Sequence, residues 1–73
     1  RWATVFTAEF EQLRERSDRG ETGLIDAYGA SDPAEFFAVA SEVFFERPHA
    51  LAVAHPALYR ELVDYYCVDP LSW

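Results

Sequence analysis

The chain has 73 residues and a formal net charge of -7, and 51% of its residues are hydrophobic and 16% aromatic. This length allows one small domain, and the hydrophobic content is too high for a disordered segment. The excess of acidic groups argues against nucleic acid or an anionic membrane as a partner, because phosphate binding needs clustered cations. No apolar run reaches the ~18 to 20 residues that span a bilayer.

The single cysteine, Cys67, has no partner for an internal disulfide. Its setting in Y-Y-C-V predicts a buried helical position and a structural role for the thiol. Since the sequence shows neither an apolar span nor a signal peptide, we expect a cytoplasmic protein.

The first predicted helix runs from Trp2 to about Asp18. Its apolar residues recur at helical spacing, which indicates an amphipathic helix with one buried side: Val5, Phe6, Phe10 and Leu13. Gly20 is suited to end it, because glycine readily adopts the left-handed backbone that closes many helices.

A connection follows from Arg19 to Ser31, and its apolar residues include Leu24, Ile25 and Tyr28. These side chains should hold the connection against the helices. Tyr28 has two interpretations: a loop anchor whose hydroxyl bonds to the backbone, or a functional side chain placed just before a helix.

The second helix has the clearest start, with Asp32 as N-cap, Pro33 at the first helical position and Glu35 where a capping box places its carboxylate. Five residues fall on one apolar face, namely Phe36, Phe37, Ala40, Val43 and Phe44. Glu35, Glu42 and Glu46 lie along its border. Glu35 is either a capping residue that faces water or, at the positive end of the helix dipole, an ionised carboxylate available to a metal.

Prolines divide the rest of the chain. Pro48 should end the second helix near Glu46 and start a short one, and Pro56 should start a last helix to about Cys67. Its buried side is predicted to contain Leu58, Leu62, Val63, Tyr65 and Tyr66. The fold class is therefore all-α, a small helical fragment of about three main helices plus a short one.

The two histidines, His49 and His55, are the other residues with metal-ligand chemistry. They lie six positions apart across a segment flanked by prolines, whereas a helical ligand pair needs a spacing of four. We expect both to cap or terminate the short helix.

One long stretch resembles a known family. The sequence D-A-Y-G-A-S-D-P-A-E-F-F-A-V-A-S-E-V-F-F, followed by Y-Y-C-V-D-P-L, is similar to the C-terminal part of the Mlc titration factor A family of zinc peptidases. The resemblance implies that Glu35 is the third zinc ligand, beside two histidines of an H-E-x-x-H helix. By similarity to lethal-factor-type peptidases, it implies that Tyr28 stabilises the oxyanion. It also implies a peptide substrate and, as a partner, the transcriptional repressor Mlc.

No H-E-x-x-H motif occurs in these 73 residues. Two zinc ligands and the general base are therefore missing, and we expect residues 1–73 to be a single helical fragment of a larger metallopeptidase. Alone, it should be inactive, bind zinc weakly and self-associate through its aromatic faces. The alternative is a helical protein-interaction module with no chemistry.

Overall fold

The computed structural model describes residues 2–21, 23–25 and 32–72, and this part of the chain is helical without any strand. The helices are α1 (Trp2–Asp18), α2 (Pro33–Glu46), α3 (Pro48–Ala54) and α4 (Pro56–Tyr66), followed by a short 3-10 helix (Pro70–Ser72). The all-α prediction is confirmed. None of the helices described is long and apolar enough to cross a membrane.

The end of α1 is a Schellman motif. Gly20 has a φ of 75°, its N–H donates to the Ser17 carbonyl at 3.0 Å, and the Glu21 N–H donates to the Arg16 carbonyl at 2.9 Å. The positive φ is the reason for glycine here, because a Cβ strains this conformation. The predicted end of α1 is confirmed.

The start of α2 is fixed by its N-cap. Asp32 has an extended backbone, and its Oδ1 accepts a hydrogen bond from the Glu35 N–H at 2.9 Å. Pro33 occupies the first helical position, where the missing N–H costs nothing.

Helices α2, α3 and α4 are joined by single-residue bends at Arg47 and His55, which have nearly the same backbone angles (φ -135°, ψ 58° and φ -138°, ψ 67°). Each residue precedes a proline, whose ring forces it out of the helical region. Backbone hydrogen bonds continue on both sides of each bend. His55 therefore terminates α3 as predicted. His49 instead lies in the first turn of α3, since Arg47 is the residue before that helix.

The core lies where α2, α3 and α4 meet α1. It consists of Leu13, Ile25, Phe36, Ala40, Phe44, Leu51, Leu58, Tyr59 and Leu62. Phe36, Ala40 and Phe44 recur every four residues, which confirms the apolar face of α2.

Two predicted positions near the end of α4 are wrong. Tyr65 is 57% exposed: its ring contacts Phe37 edge-on, with centroids 5.3 Å apart, at the last turn of the helix. Cys67 is exposed, because it adopts a left-handed conformation (φ 58°, ψ 32°) beyond the last helical residue and leaves the inner face of α4. Tyr59 and Glu61, which were not predicted, are buried instead.

Tyr59 attaches the C-terminal turn to α4. Its hydroxyl donates to Oδ1 of Asp69 and accepts the Leu71 N–H at 3.2 Å. The Leu71 N–H also reaches Asp69 Oδ1 at 3.2 Å. Burial, together with the hydrogen bond to the Asp69 carboxylate, raises the pKa of Tyr59, so the neutral hydroxyl persists in the folded protein.

Candidate metal-ligand site

Glu35 lies in the first turn of α2 with its side chain half-buried. The capping box is only half formed: Asp32 accepts the Glu35 N–H, but no bond returns from the Glu35 carboxylate to the Asp32 N–H. Within the described residues this carboxylate has neither a hydrogen bond nor an ion pair. Its oxygens are therefore available to a ligand at the positive end of the α2 dipole.

The backbone that carries Glu35 is held firmly by the next residue. Phe36 is fully buried and packs edge-on against two rings of α1, with centroid distances of 4.9 Å to Phe6 and 5.6 Å to Phe10. Such aromatic contacts stabilise the position of the first turn. A carboxylate on a fixed helical turn is a well-oriented donor for a metal ion.

The other carboxylates of α2 differ from Glu35 in exposure. Glu42 and Glu46 are both exposed, and Glu42 lies roughly 10 Å further along the helix at ~1.5 Å per residue. Glu35 and Glu42 are too far apart to bind one ion directly. The border of α2 thus contains one half-buried carboxylate and two that face solvent.

The structure does not bring the histidines to Glu35. His49 is exposed on α3, while Nδ1 of His55 lies 2.8 Å from Oε1 of Glu9. Among the described residues, no three His, Cys, Asp or Glu side chains are grouped as a metal would need. The carboxylate of Glu35 fits zinc in donor type, and any further ligands must come from outside this part of the chain. The other predicted site residue, Tyr28, lies outside the described residues.

The contact between Glu9 and His55 was not predicted. The two side chains are 12–14% exposed and join α1 to the bend between α3 and α4, 46 residues apart in sequence. Neither helical period nor local spacing contains a signal for such a pair. It fixes the position of α1, which carries the rings that hold Phe36.

We expect this pair to contribute to stability. In a double-mutant cycle with Glu9→Ala and His55→Ala, the coupling free energy should be about 1–2 kcal/mol, because both groups are largely removed from water. Urea unfolding of the four proteins measures it. The exposed pair Glu15 and Arg19, at 3.3 Å, is the matched control and should show no measurable coupling. Equal coupling free energies in the two pairs would contradict the prediction that the part-buried pair of Glu9 and His55 stabilises the fold more than an exposed pair.

Comparison with known proteins identifies the class to which this helical unit belongs. The family model described as glucose-regulated metallo-peptidase M90 matches residues 1–67. The chain therefore belongs to this metallopeptidase family.

Sequence similarity to individual proteins is consistent with this family assignment. The chain is 52% identical over 73 residues to Mlc titration factor A of Klebsiella pneumoniae subsp. pneumoniae, covering 97% of this chain and 28% of the relative. It is 43% identical over 73 residues to Mlc titration factor A of Edwardsiella ictaluri, with the same coverage. It is 44% identical over 71 residues to uncharacterized protein slr2042 of Synechocystis, covering 97% and 26%. The resemblance found in the sequence is confirmed.

The chain spans about a quarter of the length of these curated relatives. No solved structure matches it significantly.

Proposed function

We propose that the chain is the C-terminal helical part of a zinc-dependent peptidase and supplies one zinc ligand, Glu35. The observation that carries this proposal is the half-buried carboxylate of Glu35, which has no partner among the described residues and sits on a firmly packed helical turn. Membership of a metallopeptidase family supports it. The test is zinc content and peptide hydrolysis by the complete polypeptide and its Glu35→Gln variant.

The proposed chemistry divides between this chain and the remaining polypeptide. Zinc, when bound, supplies Lewis-acid polarisation of a peptide carbonyl and activation of water. Glu35 would hold the ion through a carboxylate oxygen. The two histidine ligands and the general base belong to an H-E-x-x-H motif outside these 73 residues. The isolated chain would then neither hydrolyse peptides nor retain zinc.

Tyr28 is proposed as the donor to the oxyanion. In the complete protein, Tyr28→Phe should keep its zinc and lower turnover by about 100-fold, because a hydrogen bond made mainly in the transition state is lost. Metal analysis and steady-state kinetics separate the two effects. The surface variant Tyr65→Phe is the control and should retain full turnover. Loss of zinc in Tyr28→Phe would assign Tyr28 to the metal site or to folding instead.

Self-association is proposed for the isolated chain. Among the described residues, four large apolar side chains are exposed: Phe45, Val53, Tyr65 and Leu71. Covering such residues stabilises a small protein. We expect sedimentation at tens of micromolar, roughly the range of weak contacts, to show dimers or larger species. Val53→Glu should shift the distribution toward monomer, and a folded wild-type monomer at that concentration would refute the proposal.

The names of two relatives suggest a protein partner for the complete polypeptide. Two of them are called Mlc titration factor A, and we propose that the complete protein binds Mlc as well. Failure of the purified proteins to associate in gel filtration would exclude it. Cytoplasmic location stays a prediction, which fractionation of cells would test.

A further inference from the structure

An open cleft lies between α3, α4 and the C-terminal 3-10 helix. Its volume is about 340 Å³, at the lower end of the ~300–1,000 Å³ typical of small-molecule sites. Four apolar residues line it, namely Ala52, Pro56, Val63 and Leu71.

The cleft is formed by parts that the fold holds in place. Pro56, Arg60 and Val63 lie on one face of α4 at helical spacing. The opposite wall is Leu71, whose N–H is bound by the Tyr59 hydroxyl and the Asp69 carboxylate. The cleft is therefore formed before any ligand arrives, which lowers the cost of binding.

Charges of both signs stand around the apolar lining. Arg60 is exposed on α4 and forms no ion pair with any described residue. Asp64 follows one turn later, and Asp69 lies at the C-terminal wall with Oδ1 used by Tyr59 and Leu71. No hydrogen bond is formed by Oδ2 of Asp69 to the described residues.

This arrangement selects the charge of a ligand. A simple anion would pair with Arg60 but meet the repulsion of the Asp69 carboxylate, in a chain of net charge -7. A simple amine would be repelled by the positive charge of Arg60. A zwitterion places its negative group next to Arg60 and its adjacent positive group next to a carboxylate of the cleft. An apolar substituent on the zwitterion would be removed from water by the apolar lining.

We propose that this cleft binds a free α-amino acid with an apolar side chain. The α-carboxylate pairs with Arg60, the α-ammonium lies toward Oδ2 of Asp69, and the side chain contacts Val63 and Leu71. The inference is independent of the proposed zinc ligand, because it involves neither Glu35 nor Tyr28.

The experiment is an NMR titration of the ¹⁵N-labelled 73-residue chain with L-leucine. We expect saturable shifts in the amides of α4 and the C-terminal turn, with a Kd on the order of 1 mM for so small a ligand. N-acetyl-L-leucine, which lacks the positive charge, and L-leucinamide, which lacks the negative one, should each bind at least about tenfold more weakly. If the isolated chain gives no dispersed spectrum, equilibrium dialysis of radiolabelled leucine against the complete polypeptide replaces the titration.

Variants distinguish the cleft from general charge effects. Arg60→Gln should weaken leucine binding by about tenfold or more. Arg47→Gln removes the same charge from an exposed position outside the cleft and should leave binding unchanged. Equal binding of leucine and either derivative, equal loss in both variants, or the absence of saturation would overturn the proposal.

Discussion

Glu35→Gln in the complete protein is expected to abolish the proposed zinc binding and the proposed peptidase activity together. The amide is neutral and a much poorer zinc ligand than a carboxylate, and a three-ligand site would be reduced to two. Replacing a residue that only orients a ligand already costs about 10–100-fold in metal affinity, so loss of the ligand itself should cost more than about 100-fold. Metal analysis after gel filtration and a peptide-hydrolysis assay measure the two effects.

The matched control is Glu42→Gln on the same helix. Glu42 is exposed and roughly 10 Å from Glu35 along the axis, so this variant should keep full zinc. Glutamine has nearly the shape of glutamate, and the bond from the backbone N–H of residue 35 to Asp32 is unaffected by the change. Helix α2 should therefore remain folded in both variants.

Two other outcomes would change the interpretation of Glu35. Full zinc and full activity in Glu35→Gln would remove the proposed role and favour the interaction module without chemistry. Stoichiometric zinc in the isolated chain, retained after dialysis against a weak chelator, would mean that these 73 residues contain a complete site. We expect the isolated chain to hold none.

Helix boundaries were predictable because short-range chemistry determines them. Asp32 with Pro33 started α2 as expected, and the residues before Pro48 and Pro56 ended their helices. Each signal acts within about one helical turn, through a cap bond or a proline clash. Local sequence is sufficient for such features.

Long-range contacts were not predictable in the same way. The pair of Glu9 with His55 depends on how α1 crosses the bend after α3, and Tyr65 is exposed in the last turn of α4 although its ring contacts Phe37. Helical period assigned Cys67 to a buried face, but the chain had already left the helix there. Periodicity predicts a face only as far as the helix extends.

The candidate site was predictable only in part. The position of Glu35 allowed either a capping residue or a ligand, and the pattern alone could not separate them. The structure shows that its carboxylate does not bond back to the N-cap, and the family match shows a metallopeptidase relation. The proposed partners of Glu35 lie outside the described residues, so local reasoning had no means of placing them.

The largest effect on stability is expected from Phe44→Ala. Phe44 is fully buried in α2, and its ring lies 5.2 Å from that of Tyr59 and 5.8 Å from that of Tyr66, both on α4. Removing the ring leaves a cavity between the two helices, which should lower the free energy of unfolding by about 3–5 kcal/mol. Small domains have total stabilities of about 5–15 kcal/mol and a chain of this length lies at the lower end, so the change should remove a large part of the stability of the fold.

Phe45→Ala is the matched control, because it removes the same ring from the neighbouring position. Phe45 is 41% exposed and contacts the edge of Tyr66 at 5.0 Å, so less apolar surface returns to water and no closed cavity forms. Its cost should be about 1 kcal/mol. Urea unfolding followed by circular dichroism compares both variants with wild type. Similar losses at the two positions would contradict the placement of Phe44 in the core, because that placement predicts the larger cost for the buried ring.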